Sequence, residues 1–217
     1  MITIYFLSGL GADERVFARL KLPPGYQMQL VPWEKVKGNE TLEEYARQLA
    51  RKIDASKPFL LAGLSFGGMV AAEICKFLKP QKLILFSTVA TGQELRRVYQ
   101  MAGRLRLYRL LPTIFMRLTL PIAYWFFGPL DTEARKLIAD YVLTSEGVYL
   151  RWALGQISCW KNSEIYHPHI RIHGSLDRAF PLDLLNDVDY VIEGGGHTCV
   201  FTHAEEINEI LREELTD

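Results

Sequence analysis

Three cysteines, Cys75, Cys159 and Cys199, are all that the chain contains, and their spacing shows no pairing. A disulfide framework and a zinc knuckle are therefore excluded, and the thiols read as packed residues of a reducing compartment. Net charge is lacking too. Lys plus Arg and Asp plus Glu each total 25, so no global field advertises a nucleic acid. Long apolar runs are also missing: the longest, Leu118 to Leu130, is interrupted by Pro121 and Pro129 and falls short of the roughly 20 residues of a membrane-crossing helix. There is no internal repeat or low-complexity tract. The opening residues Met1 to Leu7 show neither a basic leader nor a small-residue cleavage site, so a mature N-terminus and a cytoplasmic location are expected.

What the chain does have is an ordinary globular composition, 49% hydrophobic and 23% charged over 217 residues. That suits one domain, or one domain carrying an insertion. Short apolar runs alternate with longer helical patterns, which is how a parallel sheet covered by helices appears in sequence. Strands are expected at Ile2 to Leu7, Met28 to Pro32, Phe59 to Leu64, Lys82 to Ser87, Ile170 to His173 and Tyr190 to Glu193. Helices are expected at Asp13 to Leu20, Leu42 to Ile53, Gly67 to Lys79, Pro181 to Asn186 and Ala204 to Glu214, the second opened by a Thr41/Glu44 capping box. From about Thr91 to Ser163 the strand rhythm stops. The residues there are aromatic, helical in pattern and broken by Pro112, Pro121, Gly128 and Pro129, and such a length needs secondary structure of its own. The expected division is a core of residues 1–90 and 164–217 with a helical lid at 91–163.

The strongest chemical signal is Gly63-Leu64-Ser65-Phe66-Gly67-Gly68, set between an apolar strand and a helix. A sharp strand-to-helix turn holds the serine in a strained conformation with its hydroxyl exposed, and glycines flank it because side chains would strike neighbouring backbone. Ser65 is the candidate nucleophile; the bland alternative is a glycine-rich structural turn. A serine hydroxyl needs a base within reach and an acid to orient that base. Of the five histidines, His197 follows Gly194-Gly195-Gly196 after the last strand and is the candidate base. His167, His169, His173 and His203 are less well placed, and a zinc pair at His167 and His169 has little to favour it. Asp177, just beyond the fifth strand, is the candidate orienting acid. Asp183, Asp187 and Asp189 read as solvated, and Glu193 is the competitor.

Donors for a developing oxyanion should be the backbone N–H of Phe66, after the nucleophile, and that of Leu10 in the loop Ser8-Gly9-Leu10-Gly11. That loop lacks the spacing of a phosphate cradle. Leu10, Phe66 and Trp152 are the candidate substrate contacts, with residues 122–130 and the surroundings of Tyr149, Trp152 and Trp160 as further pocket candidates or plain core.

Taken together, Ser65 in G-x-S-x-G-G, Asp177 in H-G-x-x-D and His197 in G-G-G-H resemble, in residue type and chain order, the α/β-hydrolases. The resemblance covers residues 1 to about 90 and about 168 to 217, and the lid falls where that family inserts a cap. Within the family the chain is similar to the small carboxylesterases of the pimeloyl-carrier-protein methyl ester esterase kind. The resemblance implies an N-terminally trimmed, six-stranded parallel sheet with helices on both faces, and Ser8-Gly9 stands where the family has His-Gly.

A serine at the elbow points to acyl transfer to water, with no metal or organic cofactor required. The expected activity is that of a carboxylesterase; thioester or carbon–carbon bond hydrolysis is the enzymatic alternative, and a hydrolase-fold binder of small ligands the non-enzymatic one. Between Thr91 and Leu120 the lid carries Arg96, Arg97, Arg104, Arg106, Arg109 and Arg117 against the single acid Glu94. They either dock an anionic acyl carrier or acyl-CoA, or form a solvated helix face. Oligomeric state is left open.

Overall fold

The computed structural model describes residues 1–110 and 120–215; Pro112 and Arg117 of the expected lid lie outside the described residues. The six strands are β1 (Ile2–Leu7), β2 (Tyr26–Leu30), β3 (Phe59–Leu64), β4 (Leu83–Phe86), β5 (His169–Gly174) and β6 (Tyr190–Ile192). They form one parallel sheet in the order β2-β1-β3-β4-β5-β6. The helices are α1 (Leu42–Ala50), α2 (Phe66–Ile74), α3 (Arg97–Arg104), α4 (Leu120–Phe127), α5 (Thr132–Thr144), α6 (Gly147–Cys159), α7 (Cys199–Thr202) and α8 (Ala204–Leu215).

Alternation along the strands builds two cores, because successive side chains in a strand point to opposite faces. Tyr5, Leu7, Phe59, Leu61, Leu83 and Leu85 pack on one side with α1, α2 and α6. Ile4, Phe6, Leu60, Ala62, Ile84 and Phe86 pack on the other with α7 and α8. Both faces of β3 and β4 are therefore dry, which is why these strands read as unbroken apolar runs. The capping box of α1 forms as expected, with Thr41 Oγ1 accepting from the Glu44 N–H at 3.2 Å and Glu44 Oε2 accepting from the Thr41 N–H at 2.8 Å.

Several expected boundaries move. Strand β2 starts two residues early because its register runs from Ile2↔Tyr26 to Phe6↔Leu30, and Pro32 cannot donate to a ladder. The helices expected at Asp13 to Leu20 and Pro181 to Asn186 shrink to 3₁₀ turns, Glu14–Phe17 and Leu182–Leu184. Helix α2 stops at Ile74, and the short α7 is too brief to show a helical period in the sequence.

Between β4 and β5 lie a 3₁₀ turn at Gly92–Glu94, α3, a second such turn at Leu107–Leu110, and α4 to α6. Glu94, which by sequence counts among the charges of the lid surface, is instead fully buried against Arg171 of β5. The guanidinium donates to Glu94 Oε1 at 2.8 Å and Oε2 at 2.9 Å, and further to the carbonyls of Asn186 and Thr88. The carboxylate also accepts the Ala90 N–H at 2.7 Å and the Asn186 N–H at 3.1 Å. This network ties the exit of β4 to β5 beneath the helical segment.

Candidate active site

Ser65 sits between β3 and α2 with φ 53° and ψ −121°, a left-handed region that costs of order 1–3 kcal/mol for a residue with a Cβ. The turn holds because its backbone is bonded on both sides: the Ser65 N–H donates to Phe86 O at 3.0 Å, and Ser65 O accepts from Thr88 Oγ1 at 2.7 Å and from the Gly68 N–H at 2.9 Å. A side chain at Gly63 would lie 2.5 Å from Gly68 Cα, and one at Gly67 would collide with the carbonyls of Leu7 and Ser8. Those clashes are the physical content of the glycine spacing.

The structure brings Ser65, His197 and Asp177 together from three separate loops at the carboxyl edge of the sheet. His197 Nε2 is 2.8 Å from Ser65 Oγ, and His197 Nδ1 is 2.7 Å from Asp177 Oδ2. Asp177 is buried, which alone would raise its pKa, but the charge of His197 and the hydrogen bonds from His173 and His197 outweigh burial and hold it well below the usual carboxylate range. An ionised Asp177 can only accept, so Nδ1 of His197 bears a proton, and Nε2 is the ring nitrogen that faces Ser65. The other oxygen, Oδ1, accepts the N–H groups of Ala179 at 2.8 Å and Phe180 at 3.0 Å. The competitor Glu193 takes no part in this network.

Three supports of this arrangement have no signature in the sequence. Phe127 O accepts the His197 N–H at 2.7 Å, and the Phe127 ring stacks on the imidazole with centroids 5.1 Å apart. His173 is buried with Nε2 2.7 Å from Phe180 O and 3.2 Å from Asp177 Oδ2. Its Nε2–H is committed to the carbonyl and leans on the carboxylate, which makes it a brace for the acid loop. His167 and His169 have ring centroids 4.7 Å apart, but among the described residues no group of three or more His, Cys, Asp or Glu could hold a metal.

The loop after β1 runs beside the serine. Ser8, where a histidine was the expected family residue, is an anchor: its Oγ donates to Ala12 O at 2.7 Å and accepts from Trp33 Nε1 at 2.9 Å. Neither the Leu10 nor the Phe66 N–H has an acceptor among the described residues, and Phe66 opens α2, where the positive end of the helix faces outward.

A cavity of about 610 Å³ opens onto Ser65 and His197. Leu10, Leu64, Phe126, Leu137, Ile138 and Leu154 are among its walls, and no Asp, Glu, Lys or Arg among the described residues lines it. Of the expected substrate contacts, Leu10 does line this cavity. The other two need correction. The Phe66 side chain is fully buried, stacked on Trp33 at 5.7 Å and edge-on to Trp152 at 6.0 Å, so only its backbone N–H is offered to the site. Trp152 belongs to the main core, its indole against Tyr45 and its Nε1 donating to Glu40 O at 2.8 Å. Trp160 is likewise held inside, donating to Glu73 Oε1 at 2.7 Å. An aromatic pattern marks burial without saying which wall is filled.

The depressed pKa of Asp177 carries a stability prediction. A carboxylate whose folded pKa is lowered adds stability above its unfolded value of about 3.9 and loses it as the pH falls toward the folded value. Urea unfolding of the wild type and of Asp177→Asn should therefore show a stability gap that is larger at about pH 6 than at about pH 3; a gap independent of pH would overturn the assignment of an ionised Asp177.

No helix among the described residues is long and apolar enough to cross a membrane. No curated protein matches the chain. Among solved structures it superposes on a thermophilic esterase from Thermogutta terrifontis with a TM-score of 0.74 and 18% identity over 99% of this chain and 89% of that one. MenH from S. aureus gives 0.67 and 18% over 100% and 95%, and the esterase EaEST from Exiguobacterium antarcticum gives 0.74 and 14% over 100% and 92%. At such identities the likeness speaks for the fold alone. A family model described as alpha/beta hydrolase family matches residues 6–210. That match spans nearly the whole chain, both the strands and the helical segment between them, and the chain belongs to the alpha/beta hydrolase family.

Proposed function

We propose that the protein is a serine hydrolase cleaving carboxylic esters of uncharged, apolar acyl groups through an acyl-enzyme. The observation that carries this reading is the hydrogen-bonded chain Ser65–His197–Asp177 at the floor of an apolar cavity. Ser65 Oγ attacks the ester carbonyl while His197 Nε2 takes its proton, and Asp177 stabilises the imidazolium that forms. The N–H groups of Leu10 and Phe66 receive the oxyanion of the tetrahedral intermediate. Collapse expels the alcohol, which takes its proton from His197; water then attacks the acyl-enzyme by the same route and frees the acid. Helices α3 to α5 act as a cap that closes the cavity over the acyl chain.

The test works whatever the natural substrate is. A fluorophosphonate probe should add one mass increment to the folded protein, and peptide mapping should place it on Ser65. An unlabelled folded protein would overturn the reading. On the same sample, p-nitrophenyl esters of medium-length fatty acids should be cleaved with kcat/KM at least roughly a hundredfold above that of a half-ester bearing a terminal carboxylate, because the cavity walls provide no partner for a buried charge. Equal rates would show that the acyl chain binds elsewhere.

A further inference from the structure

The outer face of the helical segment is used neither by the chemistry nor by the core. Seven of the thirteen large apolar side chains exposed among the described residues fall in one short region: Val98, Met101, Leu105, Leu107, Leu110, Ile122 and Trp125. Single exposed leucines are ordinary, whereas the five from Val98 to Leu110, all on α3 and the turn that follows it, give one element an apolar outer surface of the kind that marks an interaction site. Interleaved with them are the exposed Arg97, Arg104, Arg106 and Arg109, which pair with no carboxylate among the described residues.

Helix α3 shows how the two chemistries are divided. Tyr99 and Ala102 line the cavity, and Gly103 lies against the Ser158 carbonyl of α6. At 100° per residue the opposite face carries Arg97 and Arg104 on one flank and Met101, Leu105 and Val98 on the other. Val98, Met101, Leu105 and Leu110 are 58 to 74% exposed. One surface therefore asks for anions and for an apolar phase side by side. Leu107 and Ile122 both line the cavity and are 44% and 55% exposed, so the rim of the cavity reaches this surface.

We propose that this face docks the protein onto an anionic lipid bilayer, with the arginines at the headgroups and the apolar side chains in the acyl boundary beneath them. A headgroup layer above an acyl layer satisfies both groups at once, and arginine stems reach along the apolar side chains to keep their charge in the polar layer. The surface of an acidic protein satisfies the arginines but leaves the apolar row facing charge. Docking of this kind brings amphiphilic esters to the rim of the cavity, yet it is independent of the proposed chemistry at Ser65.

Co-sedimentation with phospholipid vesicles tests it. Wild type and Ser65→Ala should bind equally to vesicles of phosphatidylcholine with about one-third phosphatidylglycerol, and at least tenfold more weakly to phosphatidylcholine alone. Raising salt from about 0.05 to 0.5 M should weaken binding to the anionic vesicles. The pair Arg97→Gln/Arg104→Gln should weaken it about twenty-five-fold, at about fivefold per arginine. The pair Met101→Ser/Leu105→Ser should weaken it at least about tenfold at both salt concentrations. All four side chains are exposed, and unchanged thermal melting would show both variants folded. No binding to either vesicle, equal binding to both, or full binding by both folded double variants would overturn the proposal. So would capture by an acidic acyl carrier protein without vesicle binding.

Discussion

Ser65→Ala should lower kcat/KM for the best ester found by about 10⁴- to 10⁶-fold, with the melting temperature within a few degrees of wild type. The alanine keeps the Cβ and the backbone bonds that hold the elbow, namely the Phe86 carbonyl, the Thr88 hydroxyl and the Gly68 N–H. Only the Oγ of the proposed nucleophile is removed. His197→Ala should lose nearly as much, and the double variant hardly more, because groups acting as one unit are strongly non-additive. Residual turnover would come from the proposed oxyanion donors at Leu10 and Phe66 and from binding in the apolar cavity. Activity within tenfold of wild type in the Ser65 variant would remove this serine from the reaction, whatever the geometry around it.

The second large effect concerns stability. Glu94→Ala should destabilise the protein by about 3–5 kcal/mol, since it strands a buried guanidinium and leaves the N–H groups of Ala90 and Asn186 without their acceptor. For a chain of this length that is a fall in Tm of roughly 6 to 20 °C. The double variant Glu94→Leu/Arg171→Met should recover part of the loss, because removing both charges abolishes the uncompensated one. Recovery stays partial, since the backbone donors at Ala90 and Asn186 still lack a partner. A Glu94→Ala variant as stable as wild type in calorimetry would mean that water reaches Arg171 and that the pair is not sealed.

Residue positions explain what can be read from the chain alone. The elbow is legible because a turn with positive φ at Ser65 forces glycine at positions 63 and 67, and steric exclusion of a side chain leaves a fixed spacing. The strands are legible because β3 and β4 are buried on both faces and therefore apolar at every position. The acid loop and the Gly194-Gly195-Gly196-His197 run are legible because each follows a strand directly and so lies at the same sheet edge. By contrast, Trp152 and Trp160 read equally as pocket or as core and in fact fill the core, since an aromatic side chain has the same composition signal on either side of a helix. Glu94 reads as a surface charge because its partner lies 77 residues away, and local charge patterning carries no information at that range.

The chain by itself determined the order of the six strands, the turn that strains Ser65, and the identity of the three groups that meet at the sheet edge, since all of these are consequences of local sterics and burial period. Only the tertiary structure decided which carbonyl steadies His197, that His173 braces Asp177, that Arg171 neutralises Glu94, and that the arginines of α3 face outward while its Tyr99 faces the cavity. Those choices depend on distances between elements far apart in the chain, and such distances are set by how the two cores pack rather than by any residue's nearest neighbours.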